Sequence, residues 1–307
     1  MVFPSYLKLW TSGKLQERTK AAGQILKSCR LCPRRCGVDR TQGEKGFCRS
    51  GLRPMVSSYN VHRGEEPPIS GTQGSGTIFM THCNLHCVFC QNFPISQMGV
   101  GQERSEEFLG KMMLDLQNRG CHNINWVTPT HFVPQILEAL CWAIARGFRL
   151  PLVYNTNGYD NLETLTLLNG VVDIYLPDMK YADEKAARTY SQAPDYPTVN
   201  QAAVLEMYRQ VGKAIYDEKG MMKRGVIIRH LLLPNGLAGT EKVARFLAEN
   251  FSGQCSISLM TQFFPAYQAK NFPELKRRLY AREFEGALKI LDHYQLQVGW
   301  MQEPEKR

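Results

Sequence analysis

The sequence of 307 residues lacks several features that would assign it to common classes of protein. It contains no internal repeat and no low-complexity tract. No apolar run reaches the roughly 20 residues that a membrane-spanning helix needs. The first 20 residues also lack the apolar core and the small-residue cleavage site of a signal peptide. We therefore expect a globular, cytoplasmic protein without a membrane partner.

The charge balance is basic, because the sequence contains 37 Lys and Arg residues and 28 Asp and Glu residues, which gives a net charge of +9. Such a balance is compatible with an acidic partner. A zinc-stabilised protein that binds nucleic acid is one alternative that it raises. The basic residues are not interleaved with an aromatic stacking platform, however, so we do not expect nucleic acid as the partner.

Short apolar runs alternate with helical stretches from residue 76 onward, which predicts parallel βαβ units wound into a barrel or an open sheet. Helical stretches are expected at 14–27, 106–120, 132–147, 240–250 and 282–294, and one long helix over 198–220 after an irregular loop. The predicted strands span 76–81, 123–128, 151–155, 172–176, 225–232 and 255–263.

Three cysteines lie within eight residues directly after the first predicted strand: Cys83, Cys87 and Cys90. Ligand sites in wound α/β sheets gather at the carboxyl ends of the strands. Iron–sulfur clusters normally take four cysteines, so three would leave one iron with an open position. The alternatives are a zinc site completed by His82 or His86, and a set of buried thiols.

A second group of cysteines near the N-terminus supplies four thiols: Cys29, Cys32, Cys36 and Cys48. Their spacing suits a closed zinc site, with a second iron–sulfur cluster as the alternative. We assign residues 1–72 to an N-terminal helix, this metal module and a linker, and residues 73–307 to the α/β domain. Residues 27–53 hold eight Lys or Arg, which predicts a docking face for an acidic electron donor such as a flavodoxin or ferredoxin.

The segment GSGTIFMTHCNLHCVFCQN resembles the radical S-adenosylmethionine (radical SAM) superfamily. With the preceding EEPPISG and the N-terminal CRLCPRRCGVDR, it is similar to the pyruvate formate-lyase activating enzyme-like proteins, the PflX group. The resemblance implies a partial (β/α)6 barrel over residues 76 to about 301. It also implies that a 4Fe–4S cluster on Cys83, Cys87 and Cys90 binds S-adenosylmethionine and cleaves it reductively to a 5′-deoxyadenosyl radical.

The same resemblance indicates cofactor-binding residues at the strand ends. Phe89 is expected near the adenine, and Thr128 stands where related proteins carry a Gly-Gly-Glu backbone. The segments NTNGYD and PDMK resemble the DTNG and DLK segments of glycyl-radical activases. The resemblance thus implies these cofactor-binding residues: Phe89, Thr128, Asn155, Thr156, Asp178, Lys180 and Arg229.

The family resemblance also suggests a reaction, which is hydrogen abstraction from a glycine of a partner enzyme. Another peptide or a small molecule is the alternative substrate, because fold and cofactor do not fix the substrate. No residue is indicated as a direct participant in the hydrogen transfer.

Overall fold

The computed structural model of the protein describes residues 3–251, 255–296 and 298–301. The predicted domains also include residues 1–2, 252–254, 297 and 302–307, which lie outside the described residues. The α-helices are α1 Tyr6–Thr11, α2 Lys14–Gln24, α3 Pro67–Ser70, α4 Phe93–Ser96, α5 Glu106–Asn118, α6 Val133–Ile144, α7 Leu162–Leu168, α8 Glu184–Ser191, α9 Tyr196–Val211, α10 Thr240–Phe251 and α11 Ala281–His293. The strands are β1 Met55–His62, β2 Ser75–Met80, β3 Gln102–Glu103, β4 Ile124–Val127, β5 Leu152–Thr156, β6 Ile174–Pro177, β7 Ile215–Tyr216, β8 Met222–Leu231, β9 Ser256–Met260 and β10 Val298–Met301.

The strands form one sheet in the order β10-β9-β8-β6-β5-β4-β2-β1-β3, with β7 paired to β8. The run from β2 to β10 is parallel throughout. At the other side, β1 is antiparallel to both β2 and β3. This is the α/β fold with a mostly parallel sheet that the alternation of strands and helices predicts, in the open form of a partial barrel.

The two faces of the sheet bury different sets of side chains, because successive residues of a strand point to opposite faces. Tyr154, Tyr175 and Ile228 belong to the large core that includes the helices. Val153 and Ile227 belong to a smaller cluster on the opposite face, which we call the inner face of the barrel. Asn125 is in register with Val153, and Asn155 and Arg229 follow the same alternation. These three polar residues therefore project from the inner face.

Each of the six predicted strands is present within a few residues of its expected position, as β2, β4, β5, β6, β8 and β9. The helix predicted over 198–220 is wrong at its C-terminal end. The helix α9 stops at Val211 because Gly212 takes a left-handed backbone with φ of 72°. The chain then forms β7, which pairs with β8. Pairing with a distant strand here overrides the local helical pattern.

Some regular elements, β1 and α8 among them, fall where the sequence analysis places a linker or an irregular loop. The strand β1 lies within the stretch 29–72, and its side chains are mostly half-buried, so no clear alternation marks it. The helix α8 begins after Asp183, whose carboxylate accepts hydrogen bonds from the backbone N–H groups of Lys185 and Ala186 at 2.9 and 3.1 Å. This capping signature is a signal in the sequence that identifies the start of a helix.

Candidate active site

The loop that carries Cys83, Cys87 and Cys90 follows the carboxyl end of β2. Cys83 and Cys87 are buried, and Cys90 is partly exposed. The helix α8 holds the loop in place, because the backbone N–H of Val88 donates to the carbonyl of Tyr190 at 2.8 Å. All three thiols thus lie on one short segment at the end of the sheet where ligands are expected.

Each of the three sulfur atoms has a side-chain hydrogen-bond partner. The pairs are Asn157 Nδ2 with Cys83 Sγ at 3.2 Å, Ser191 Oγ with Cys87 Sγ at 2.9 Å, and Ser96 Oγ with Cys90 Sγ at 3.0 Å. The Tyr181 hydroxyl in turn lies 2.8 Å from Ser191 Oγ. Hydroxyl and amide donors of this kind stabilise negative charge on sulfur. The sequence analysis identified none of the three partners.

The donor set fits an iron–sulfur cluster better than a single metal ion. Among the residues described here, no group of three or more His, Cys, Asp or Glu side chains converges as a single ion requires. The zinc alternative with His82 or His86 therefore has no support. Burial raises the pKa of the Cys83 thiol to about 12 and that of Cys87 to about 11, with Lys180 opposing the shift at Cys87. Three cysteines on one loop, two of them with buried thiols that a metal would deprotonate, are typical ligands of a 4Fe–4S cluster.

Four of the predicted cofactor-binding residues form one charged group beside this loop. Asp178 accepts from Lys180 Nζ at 2.6 Å and from Arg229 Nε at 2.8 Å. Arg229 Nη2 also donates to Asn155 Oδ1 at 2.6 Å. Burial disfavours the charged form of Asp178, but the two cations outweigh it, so the pKa of this carboxyl lies below its ordinary value. The ends of three successive parallel strands thus meet in a charge-paired, partly buried cluster.

Lys180 connects this charged group to the cysteine loop. Its side chain is only 15% exposed. Burial alone would lower the pKa of Lys180, but the negative charges of Asp178 and of a Cys87 thiolate raise it by more. The net pKa therefore lies above the ordinary value, and the ammonium form persists. Lys180 is therefore placed to balance the negative charge of both groups.

Thr128, Thr156 and Phe89 lie at different places around the group. Thr128 directly follows β4 and has a left-handed backbone at φ of 58°, which is rare for a β-branched residue and is found mainly at functional sites. Thr156 Oγ1 donates to Asp160 at 2.6 Å, so the structure does not bring its hydroxyl to the charged group. Phe89 is buried edge-on against Phe263, with the ring centroids 5.8 Å apart.

Two further inner-face residues that sequence reasoning missed lie next to the charged group. Glu65 Oε2 is 3.9 Å from Arg229 Nη1. Burial raises the pKa of Glu65 to about 7, although Arg229 opposes the shift. Asn125 is fully buried on the inner face of β4. For Glu65, the only local signal in the sequence is the doubled glutamate of EEPPISG. For Asn125, an isolated Asn in a short strand gives no signal.

The four N-terminal cysteines line one small cavity together. Gly46 makes a close approach there, since a Cβ atom at this position would lie 2.7 Å from Cys36 Sγ. The module is fixed to the βα units by backbone carbonyls, which accept from Asn161 Nδ2 at 3.0 Å and Thr164 Oγ1 at 2.8 Å. These thiols are among the groups that do not converge on a single-ion position, so the zinc prediction gains no support from the geometry.

The N-terminal module also contacts the cysteine loop directly. The ring of Phe47 stacks on His86 with centroids 4.0 Å apart, and the guanidinium carbon of Arg34 lies 3.8 Å from the centre of the Phe47 ring. Phe47 precedes Cys48, and His86 precedes Cys87. The two cysteine sets are therefore joined through one pair of stacked rings.

Comparison with known proteins agrees with this geometry. A model of the radical SAM superfamily matches residues 77–216. The chain is 32% identical over 293 residues to the uncharacterized protein MJ0674 of Methanocaldococcus jannaschii, a match that covers 92% of this chain and 80% of that protein. Among the described residues, no helix combines the length and apolarity that crossing a membrane requires.

Two solved structures share the fold. A radical SAM methyltransferase from Sphaerobacter thermophilus aligns with a TM-score of 0.51 at 15% identity, over 75% of this chain and 67% of that one. The protein SuiB of Streptococcus suis, bound to its precursor peptide SuiA, aligns with a TM-score of 0.50 at 11% identity, over 73% and 47% of the two chains. These likenesses concern the fold. With the cysteine loop, the open parallel sheet and the family match in agreement, the chain belongs to the radical SAM superfamily.

Proposed function

We propose that this radical SAM enzyme abstracts a hydrogen atom from a glycine of a partner polypeptide, as a relative of the glycyl-radical activases. Family membership implies a 4Fe–4S cluster and S-adenosylmethionine, which together supply a 5′-deoxyadenosyl radical when bound. The observation that carries the proposal is the meeting of Asn155, Asp178 and Arg229 at adjacent strand ends. Their segments, NTNGYD and PDMK among them, are those that resemble the activases.

The chain's own residues have distinct parts in this proposal. Cys83, Cys87 and Cys90 hold the cluster, and their hydrogen-bond partners stabilise its negative charge. Lys180 and Arg229 would supply the positive charge that the methionyl carboxylate of bound S-adenosylmethionine requires. Asp178 fixes both cations in place through its two oxygens.

A second metal centre at Cys29, Cys32, Cys36 and Cys48 is part of the proposal. Zinc and a second iron–sulfur cluster are the two occupants that the spacing allows. The four cysteines line one small cavity, which is what supports a shared metal centre. Metal analysis of the anaerobically purified chain and of the Cys32→Ser variant decides: a loss of iron supports the cluster, and a loss of zinc alone contradicts it.

We also propose an acidic flavodoxin or ferredoxin as the electron donor and a cytoplasmic location. Six of the eight basic residues in the N-terminal module are exposed, whereas Arg40 is buried and donates to the carbonyls of Gly51 and His131. The module contacts the cysteine loop, so a donor docked there lies near the cluster. Electrostatic docking predicts that the rate of reduction by an acidic donor falls steeply with salt.

One experiment tests the reaction. The anaerobically purified, brown protein is reduced in the presence of S-adenosylmethionine, and 5′-deoxyadenosine is measured. A polypeptide substrate deuterated at its glycines should transfer deuterium to that product. Transfer from a small molecule but from no polypeptide would favour the alternative substrate. A colourless protein that holds zinc only would instead favour the nucleic-acid-binding alternative.

A further inference from the structure

The segment that joins β1 to β2 enters the inner face of the barrel. Ile69 of this segment packs against Val153, Ile174 and Ile227, which come from three parallel strands. Its carbonyl also accepts from Asn123 Nδ2 at 2.8 Å. The apolar contacts fix the segment in place, and Glu65 is thereby held inside the barrel, with a side chain only 10% exposed.

Asn125 lies beside Glu65 and has no partner of its own. It is 0% exposed, and neither Oδ1 nor Nδ2 makes a hydrogen bond. It is close enough to the Glu65 carboxylate to favour the charged form of that group, but not in a bonding geometry. A buried amide without partners is costly, and each such group in a folded protein calls for an explanation. A ligand that hydrogen-bonds to Asn125 Oδ1 and Nδ2 would explain why this amide has no partner within the protein.

Glu65 also retains capacity to accept hydrogen bonds. The guanidinium of Arg229 is already engaged with Asp178 at 2.8 Å and Asn155 at 2.6 Å. Its distance of 3.9 Å from Glu65 is too long for a hydrogen bond. One carboxylate acceptor, one amide donor and one amide acceptor are thus grouped on the inner face.

The position of this group relates it to the reaction. Asn125 is in register with Val153, two residues before Asn155 on the neighbouring strand. It therefore lies about 7 Å deeper in the barrel than the charged group at the strand ends, at about 3.3 Å per residue. The interior is open above it, since Phe79 and Val127 are partly exposed. A substrate that reaches this depth passes beside the strand ends.

We propose that Glu65 and Asn125 form a substrate subsite that binds an amide group. Glu65 accepts from the amide N–H, Asn125 Nδ2 donates to the amide carbonyl, and Asn125 Oδ1 accepts from a second N–H. The proposal rests on the proposed hydrogen abstraction and names what that site recognises. A peptide group and the carboxamide of a small molecule share this chemistry.

The test compares two small probes with the anaerobic, cluster-loaded protein and S-adenosylmethionine. One probe is N-acetylglycinamide and the other is methyl acetoxyacetate, in which esters replace both amides; each is deuterated at its central methylene. Deuterium in 5′-deoxyadenosine is measured against probe concentration. The half-saturating concentration of the amide should be at least tenfold lower than that of the ester, because a site built to hydrogen-bond an N–H rejects a ligand that lacks it.

Glu65→Gln and Asn125→Ala should each raise the half-saturating concentration of the amide probe at least tenfold, and calorimetric titration of that probe should show the same loss of affinity. Glu65→Gln is isosteric and keeps the inner face packed. It therefore still tests the subsite if the Asn125→Ala variant does not fold. Glu138→Gln, an exposed carboxylate on α6, is the matched control and should behave as the parent. A polypeptide and free N-acetylglycinamide, compared at equal concentration, distinguish the two sources of the amide.

Equal half-saturation by the amide and the ester overturns the subsite, as does parent behaviour of both variants. If the parent cleaves S-adenosylmethionine but no deuterium leaves the amide probe, the subsite is wrong while the radical chemistry stands. If the parent cleaves no S-adenosylmethionine, the proposed function fails and the subsite fails with it.

Discussion

Replacing Ser191 by alanine removes the hydroxyl that donates to Cys87 Sγ at 2.9 Å. Ser191 is fully buried, and the Tyr181 hydroxyl lies 2.8 Å behind it. Water is therefore not available to replace the lost donor. A cluster that gains an electron gains negative charge on its sulfur atoms, and a donor stabilises that reduced form more than the oxidised form. The Ser191→Ala variant should therefore have a lower midpoint potential.

The size of the shift follows from the strength of one hydrogen bond. A bond to a charged group contributes ~1.5–3 kcal/mol. Only the part that changes on reduction affects the potential, and we take it as a third to a half of the total, ~0.5–1.5 kcal/mol. For a one-electron couple, a tenfold change in the equilibrium constant corresponds to about 59 mV. The midpoint potential should therefore fall by ~20–60 mV.

The measurement is an anaerobic redox titration followed by electron paramagnetic resonance of the reduced cluster, with iron content determined on the same samples. Ser96→Ala should give a smaller shift, because Cys90 is partly exposed and water can replace the hydroxyl. Ser12→Ala, an exposed serine in the N-terminal region, is the control and should not change the potential. An unchanged potential in Ser191→Ala with full iron content, or a larger shift in Ser96→Ala, would refute the reasoning.

Three further predictions follow from the same site. Cys87→Ala should lose the cluster and all cleavage of S-adenosylmethionine, as iron analysis and the 5′-deoxyadenosine assay will show; cleavage at the parent rate would contradict the three-cysteine assignment. Lys180→Met removes a buried cation that would pair with the methionyl carboxylate, and a charge-assisted bond of this kind contributes ~1.5–3 kcal/mol. Its dissociation constant for S-adenosylmethionine in a calorimetric titration should rise roughly ten- to a hundredfold, whereas unchanged affinity with full iron content would exclude Lys180 from the site. Burial raises the pKa of Glu65 from its ordinary 4.5 to about 7, so its contribution to stability is lost as pH rises through this range, up to ~3 kcal/mol. Glu65→Gln should therefore gain melting temperature over the parent more at pH 8 than at pH 5, and an equal difference at both pH values would argue against the shift.

The sequence alone was sufficient where the signal is local. The three cysteines lie within eight residues, so their loop needs no knowledge of the fold. The six parallel strands are short apolar runs buried on both faces, and such runs are visible in the sequence. The strand β1 and the end of α9 at Gly212 were missed, because each depends on pairing with a distant strand.

Tertiary structure decided which side chains meet. Ser191 reaches Cys87 across 104 positions of the chain, and Arg229 reaches Asp178 across 51. Such contacts depend on strand order and register, and a shift of one residue would turn Arg229 to the opposite face of the sheet. Glu65 reaches the inner face only because Ile69 packs among three strands that follow it in the chain. The sequence by itself determined the three-cysteine loop and the parallel sheet, whereas the donors to the sulfur atoms and the polar group beneath the strand ends follow from long-range packing that no local pattern encodes.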